Sequence, residues 1–394
     1  MPTRRPSSLR RTLAAVSATV TAVVLVTGSL TACGIGADNG SGQTAQAEET
    51  SFDTALDTFN RLVDDGLPDA REAHGVSHAE TVGDVTPVNG RTAEDADLPV
   101  ELTDADGRDV TVDDISRIIP LDVYGTISRT LAGLGLRDSI VGRTVSSTEP
   151  SLQDLPVVTQ GGHSINAEAV LNLNPSLVIV DDSIGPGDAL NQLRDAGVPV
   201  VKINPEHTID TVSRDIDTIA GIVGLAENGE RLGERADAEI SRAVEAIRGA
   251  AGDAVPGNPL RMAFLYARGD GGVFYILGPD DGTDDLIEAL GGVDAAKEEG
   301  IGQASPANAE SLADLNPDVL VMMSAGLDST GGLDGLLAKP GIAQTTAGKN
   351  ERVLAIPDSQ SLSFGPQSGE MLLTAAAALY GGDGGDGGDG GDGE

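Results

Sequence analysis

The side chains best suited to chemistry are one histidine and a tyrosine–arginine pair. His163 ends a Gln-Gly-Gly-His run directly before a predicted helix, which places its imidazole on a loop. Tyr266 and Arg268 end a predicted strand, where residues two apart share a face. A guanidinium beside a phenol favours the phenolate, which suits ferric iron and is a known type of axial haem ligand. These residues alone leave two other interpretations open. His163 could be a surface or helix-capping residue, and Tyr266 could be packed in the lobe while Arg268 pairs with an acid.

The sequence contains no signature of a catalytic site. It lacks a Gly-x-Ser-x-Gly elbow, a phosphate-binding Walker loop and a His-Glu-x-x-His helix. Acidic pairs such as Asp181-Asp182 and Asp280-Asp281 are abundant among 62 acidic residues, so we interpret them as solvated loop ends. We therefore do not expect an enzyme.

The N-terminus has the layout of an export signal. Four arginines precede an apolar run at residues 13–30, and Leu-Thr-Ala-Cys follows, ending at Cys33. This tetrapeptide resembles a bacterial lipobox, in which the chain is cut before the cysteine and its sulfur carries diacylglycerol. Cys33 is the only cysteine, so it cannot form an internal disulfide. The pattern predicts a lipid anchor on the extracytoplasmic face of the bacterial cell membrane.

The charge of the chain excludes one class of partner. The formal net charge is −37, and it becomes −41 when the four arginines of residues 1–32 are removed with the signal. Binding to nucleic acid requires an excess of lysine and arginine to neutralise phosphates. We therefore expect no nucleic-acid partner.

The elements that must position His163 and Tyr266 alternate between strand and helix. Residues 177–180 are a continuous apolar run typical of a buried strand; a helix at 189–196 and a strand at 198–203 follow. Residues 209–247 are helical in pattern with a break near 221–229, and a second strand–helix series begins at Met262. This order predicts an α/β fold with mainly parallel sheets.

An internal repeat predicts two related lobes. Asn-Ala-Glu-Ala-Val-Leu-Asn-Leu-Asn-Pro at 166–175 recurs as Asn-Ala-Glu-Ser-Leu-Ala-Asp-Leu-Asn-Pro at 308–317, an offset of 142 residues. Each copy indicates a helix, a stop at Asn-Pro and then an apolar strand. In such lobes ligands bind beyond the carboxyl ends of the strands. We therefore predict two α/β lobes joined by a long connecting helix, with the ligand cleft between the lobes.

These patterns divide the chain into six segments. They are a lipoprotein signal peptide (1–32), an acidic flexible stalk or N-terminal segment (33–100), an N-terminal α/β lobe (101–225), a connecting helix and loop (226–257), a C-terminal α/β lobe (258–380) and a disordered Gly/Asp tail (381–394).

Residues 116–380 resemble the haemin-binding lipoproteins of actinobacterial haem-uptake ABC transporters, the HmuT type. The similarity covers both lobes and about two thirds of the chain. The motifs that carry it are Gly-Thr-Ile-Ser-Arg-Thr at 125–130, Val-Gly-Arg at 141–143, Gly-Gly-His at 161–163, Ser-Ile-Gly-Pro at 183–186, Phe-Leu-Tyr-Ala-Arg-Gly at 264–269, Leu-Asp-Gly-Leu-Leu at 333–337 and Ser-Phe-Gly-Pro at 363–366.

The resemblance implies a class III substrate-binding protein that captures haem and delivers it to an ABC permease and its ATPase. In that family one lobe supplies a histidine and the other a tyrosine to the iron, and an arginine hydrogen-bonds the phenolate. These roles fall on His163, Tyr266 and Arg268. The resemblance also implies that Met323, or its neighbour Met322, lies near the haem and that Tyr275 lines the pocket. Arg143, and with it Arg129, is a candidate partner for the haem propionates.

Two alternatives to haem capture remain open from the sequence. A ferric-siderophore or cobalamin receptor has the same two-lobe fold, but it needs aromatic or cationic clusters around a bulky ligand, and aromatics make up only 2% of this chain. A lipid-tethered secreted hydrolase belongs to another class and needs a nucleophile or a metal triad.

Overall fold

The computed structural model describes residues 51–160, 163–255, 257–269 and 272–382. The predicted signal peptide, Cys33 and most of the Gly/Asp tail lie outside these residues. The described strands are β1 (Val76–His78), β2 (Val100–Thr103), β3 (Asp109–Val112), β4 (Ile118–Leu121), β5 (Thr159–Gln160), β6 (Ser164–Ile165), β7 (Leu177–Val180), β8 (Val200–Lys202), β9 (Arg261–Arg268), β10 (Val273–Ile276), β11 (Val293–Asp294), β12 (Ser305–Pro306), β13 (Val319–Met323) and β14 (Val353–Ile356).

Helices alternate with these strands, as the sequence predicts. The described α-helices are α1 (Ser51–Asp64), α2 (Thr126–Gly133), α3 (Ala167–Asn172), α4 (Gly187–Asp195), α5 (Val212–Ile222), α6 (Ala226–Ala254), α7 (Thr283–Ala289), α8 (Ala295–Glu298), α9 (Ala309–Leu315), α10 (Ser324–Ser329), α11 (Gly332–Leu337), α12 (Thr346–Lys349), α13 (Asp358–Ser361) and α14 (Ser368–Tyr380). Within the described ranges, no helix is both long enough and apolar enough to cross a membrane.

The N-terminal lobe is built on a three-stranded parallel sheet. Its order is β4-β7-β8, with Ile118 paired to Leu177 and Val178 paired to Val200. Every residue of β4 and β7 is buried. Both faces of this sheet are therefore covered, which explains the unbroken apolar run of β7.

The C-terminal lobe contains a seven-stranded mixed sheet. Its order is β1-β14-β13-β9-β10-β12, and β11 pairs with β9. Strand β9 runs parallel to β13 and antiparallel to β10. The strands β9, β13 and β14 form its parallel centre, so their carboxyl ends lie at the same edge of the sheet.

Helix α6 is the predicted connector between the lobes. It spans 29 residues, which corresponds to a length of about 43 Å. Its buried stripe includes Leu232, Ala236 and Ile240, spaced four residues apart, and it packs against α5 and α14. The predicted break before this helix is confirmed, because α5 ends at Ile222 and α6 begins at Ala226.

Residues 51–100, predicted as part of an acidic flexible stalk or N-terminal segment (33–100), contain folded elements and are not a flexible stalk. Helix α1 buries Phe52 and Phe59 and packs against α14. Strand β1 then pairs in parallel with β14, with Val76 opposite Val353. The acidic composition of this segment conceals two phenylalanines seven residues apart, which lie on one helix face. This segment therefore completes the C-terminal lobe, although it precedes the N-terminal lobe in the chain.

The structure confirms the internal repeat. Asn166 caps α3 by accepting a hydrogen bond from the Ala169 amide (3.0 Å), and Asn308 caps α9 in the same way. Each helix is followed by an asparagine with positive φ, Asn174 at 45° and Asn316 at 34°. Strands β7 and β13 then begin at equivalent positions of the two copies.

Candidate ligand-binding site

The carboxyl edges of the two sheets meet at the junction between the lobes. Segments that follow β4 in one lobe contact segments that follow β14 in the other. The hydrogen bonds across the junction include Thr126 Oγ1 to Ser363 Oγ (3.3 Å), Thr148 Oγ1 to Ser359 Oγ (2.6 Å), Arg129 Nη1 to Ser363 Oγ (3.2 Å) and the Ile209 amide to Asp285 Oδ2 (2.9 Å). Ligands of α/β folds bind at such strand ends, so this junction is where a cleft ligand would lie.

Tyr266 and Arg268 lie together at the carboxyl end of β9, as the strand period predicts. Both side chains are half-buried, and the Arg268 guanidinium carbon lies 4.8 Å from the centre of the Tyr266 ring. A cation at this distance from an aromatic face is attracted by the ring. The phenol and the guanidinium therefore form one unit on one face of the strand.

The hydrogen bonds of Arg268 hold it to three neighbours. Nη1 donates to the Ala267 carbonyl (2.9 Å), and Nη2 donates to Met323 Sδ (3.2 Å) and to Asp358 Oδ1 (2.6 Å). None of the Arg268 hydrogen bonds among the described residues reaches the Tyr266 hydroxyl. The arginine is thus paired with an acid, which is one of the interpretations left open by the sequence.

Met323 and Met322 have different environments. Met322 is buried in the core of the C-terminal lobe, whereas Met323 ends β13 half-buried beside Arg268. Of these two residues, Met323 is therefore the one that contacts Arg268, and its proximity to haem stays a prediction.

Tyr275 lies on the neighbouring strand, directly opposite Tyr266. The two residues are paired in the antiparallel ladder of β9 and β10. Tyr275 is 37% exposed and Val273, on the same face of β10, is 40% exposed. The hairpin thus presents apolar and aromatic surface next to Tyr266.

His163 lies in the other lobe, on the turn that precedes β6. Its side chain is exposed, and its carbonyl accepts a hydrogen bond from the Gly185 amide (3.0 Å). Gly185 belongs to the loop that follows β7, so this contact places the turn at the carboxyl edge of the N-terminal sheet. In the part of the chain that the structure describes, no hydrogen bond or ring contact joins His163 to Tyr266.

The N-terminal lobe also exposes apolar side chains around the His163 hairpin. Val157 is 41% exposed two residues before β5, and Val145 is 46% exposed, with its amide donating to Thr159 Oγ1 of β5 (3.3 Å). Together with Val273 and Tyr275, these are the large hydrophobic residues exposed in the described chain. Val157 and Val145 flank the β5–β6 hairpin that carries His163, and Val273 and Tyr275 lie on β10 next to Tyr266 and Arg268.

Arg143 and Arg129 use their terminal Nη donors within the protein, whereas the buried Nε of each has no hydrogen-bond partner among the described residues. Arg143 donates to the carbonyls of Thr144, Ser147 and Gln153, at 3.2–3.4 Å, and so organises its own loop. Arg129 is buried, and burial lowers its pKa. Its hydrogen bond to Ser363 joins the two lobes. The role of Arg143 and Arg129 as partners of the haem propionates stays a prediction.

Known proteins resemble this chain across the whole site. A family model described as periplasmic binding protein matches residues 123–360, which is more than half of the chain. The chain belongs to this family. The fold class predicted from the sequence is confirmed.

Solved structures of haem-binding proteins are similar to this binding protein. The crystal structure of heme binding protein HmuT is 59% identical, with a TM-score of 0.74, and the match covers 79% of this chain and 99% of HmuT. Periplasmic heme-binding protein RhuT from Roseiflexus sp. RS-1, in apo form, is 35% identical with a TM-score of 0.62, covering 68% of this chain and 98% of RhuT. These similarities confirm the resemblance to the HmuT type. HmuT structures also include alanine variants of a histidine, a tyrosine and an arginine two positions after that tyrosine.

A bacterial lipoprotein is a further relative. The uncharacterized ABC transporter substrate-binding lipoprotein YvrC of Bacillus subtilis (strain 168) is 25% identical over 290 residues. The match covers 72% of this chain and 86% of YvrC. The relatives of this binding protein are thus named for substrate binding and transport.

The N-terminal lobe of this binding protein contains a buried acidic pair that was not predicted from the sequence. Asp122 follows β4 and Asp181 follows β7, and both are about 1% exposed, so the prediction that Asp181 is a solvated loop end is wrong. Burial and the neighbouring Asp181 carboxylate raise the pKa of Asp122 to about 7. His207 Nε2 lies 3.6 Å from Asp181 Oδ2, and its ring is 4.1 Å from that of Tyr124. The sequence signal that could have identified Asp122 and Asp181 is that each directly follows a buried strand, β4 or β7.

Proposed function

We propose that this chain captures ferric haem outside the cytoplasm and delivers it to an ABC permease and its ATPase, without catalysing a reaction. The observation that carries the proposal is the Tyr266–Arg268 unit at the carboxyl edge of β9, whose ion-pair partner Asp358 directly precedes Ser359 at the junction with the lobe that carries His163. The names of HmuT and RhuT and the residue types replaced in HmuT support the same ligand class.

The side chains around the junction fit the chemistry of ferric haem. His163 supplies an imidazole and Tyr266 a phenol, and both types are axial ligands of haem iron. A planar porphyrin buries most of its area against apolar surface, and such surface is exposed in both lobes, at Val157 before the hairpin of His163 and at Tyr275 opposite Tyr266. We infer that the porphyrin binds between the lobes with one axial ligand from each.

The lipid anchor belongs to the same proposal. Cys33 would carry diacylglycerol, and the residues between it and α1 would tether the body to the extracytoplasmic face of the cell membrane. The relative YvrC is named as a lipoprotein, which supports this arrangement. Capture at the membrane surface keeps haem close to the permease.

An absorbance titration with haemin tests the proposal. We expect a saturable shift of the Soret band for the wild-type chain, and affinity at least about tenfold weaker for His163→Ala and for Tyr266→Phe, because each loses one iron ligand. His78→Ala is the control for loss of a histidine, since His78 is exposed on β1, outside the candidate site.

The titration also distinguishes a failure of haem capture from a failure of the assignment of His163 and Tyr266 as iron ligands. If the wild-type chain gives no saturable shift, haem capture is wrong, and ferric siderophores and cobalamin are the ligands to titrate next. If the wild type binds but His163→Ala and Tyr266→Phe bind equally well, the chain captures haem through other residues.

A further inference from the structure

Arg268 is oriented by an acid that lies 90 residues further along the chain. Its Nη2 forms an ion pair with Asp358 Oδ1 at 2.6 Å, and both side chains are about one third exposed. A guanidinium bound at one end to a carboxylate and at the other to the Ala267 carbonyl keeps a single orientation over the Tyr266 ring.

Asp358 is itself held in place by the backbone. It follows β14 as the first residue of α13, and its second oxygen, Oδ2, accepts a hydrogen bond from the Ala325 amide in the first turn of α10 (2.9 Å). One carboxylate thus links the carboxyl ends of β9 and β14 to the helix that follows β13. Each of its oxygens has a defined partner, so its position does not depend on a ligand.

The neighbouring backbone leaves room for this arrangement. A Cβ atom built on Gly326 would lie 3.1 Å from Arg268 Nη1 and 3.2 Å from the Ala267 carbonyl oxygen. A side chain at this position would crowd the guanidinium. Gly326 therefore keeps open the space that the Asp358-bound arginine occupies.

We propose that Asp358 is a positioning residue for haem capture, acting through Arg268 on the Tyr266 phenolate. The inference rests on the proposed function and deepens it. A free arginine side chain has many rotamers to lose, and this acidic chain offers it many other partners. The ion pair fixes the guanidinium beside the phenol before the ligand arrives, so the charge that stabilises the bound phenolate is already in place.

A double-mutant cycle on haem dissociation tests the proposal. Haem-loaded wild type, Arg268→Ala, Asp358→Asn and the double variant are mixed with excess apomyoglobin, and haem transfer is followed by absorbance. We expect Asp358→Asn to release haem roughly fivefold or more faster than wild type, because a charge-assisted hydrogen bond is lost. In the Arg268→Ala background the same substitution should add no further increase, since the residue through which it acts is gone.

Two further measurements separate positioning from a structural role. Asp358→Asn and Arg268→Ala should shift the visible bands of the ferric tyrosine-ligated haem in the same direction, and Asp358→Glu should restore part of the wild-type spectrum. Asp314→Asn removes the same negative charge at an exposed position of α9, and it should leave the rate of haem release and the spectrum unchanged.

The outcomes are distinct. The positioning role would be overturned if Asp358→Asn released haem at the wild-type rate. It would also be overturned if the effects of Asp358→Asn and Arg268→Ala on the release rate were additive. A wild-type chain that does not bind haemin at all would instead overturn the proposed function.

Discussion

Replacing Asp181 with asparagine should stabilise the folded chain at high pH and have much less effect at low pH. Burial and the Asp181 carboxylate raise the pKa of Asp122 to about 7 in the folded state. A carboxyl group whose pKa is raised by folding contributes stability that is full below its unfolded pKa and is lost as the pH rises through its folded pKa. The wild-type chain therefore loses stability between about pH 4 and about pH 7 because Asp122 must ionise in the interior.

The magnitude follows from the pKa and its two causes. Raising a carboxyl pKa from its ordinary value to about 7 corresponds to roughly 4 kcal/mol above pH 7. Burial is the larger cause and remains in the variant, so we assign the Asp181 charge about 1–2 kcal/mol. In the wild type, Asp181 Oδ1 accepts a hydrogen bond from the Ser183 amide (2.9 Å), and the side-chain oxygen of asparagine can accept the same hydrogen bond. We therefore expect Asp181→Asn to gain about 1–2 kcal/mol at about pH 8 relative to about pH 5.

Urea denaturation followed by circular dichroism measures this difference at the two pH values. Asp182→Asn is the matched control, because it removes the same charge from the next residue, whose side chain is 64% exposed and pairs with Lys202. Its free energy of unfolding should change by less than about 1 kcal/mol, and by the same amount at both pH values. If the free energies of wild type and Asp181→Asn stay parallel from about pH 5 to about pH 8, the reasoning about the buried pair is refuted.

Two further predictions concern the N-terminal part of the chain. Phe59→Ala should lower the free energy of unfolding by about 3–4 kcal/mol, because it removes a fully buried ring from the contact of α1 with the core. Thr58→Ala, at an exposed position of the same helix, should change the free energy of unfolding little. Equal urea midpoints for the two variants would mean that α1 does not pack as described. Cys33→Ser should move the chain from the membrane pellet to the soluble fraction after cell lysis, because the proposed diacylglycerol anchor needs the sulfur; a variant that stays in the pellet would contradict the anchor.

The sequence by itself determined the features that depend on near neighbours along the chain. The period of apolar residues predicted the strands, the helix breaks and the connector α6, because side-chain direction repeats within a few residues. The repeat at 166–175 and 308–317 predicted the two lobes. The two-residue spacing of Tyr266 and Arg268 predicted that they share a face, and the structure places the guanidinium over the ring.

Only the tertiary structure decided which distant segments meet. The pairing of β1 with β14, the burial of Asp181 against Asp122 and the ion pair of Arg268 with Asp358 each join residues far apart in the chain. No local pattern encodes such a partner among 62 acidic residues, since any of them could pair with an arginine. Which residues become partners depends on where the strands end and on how the segments that follow them pack, and both are properties of the folded chain.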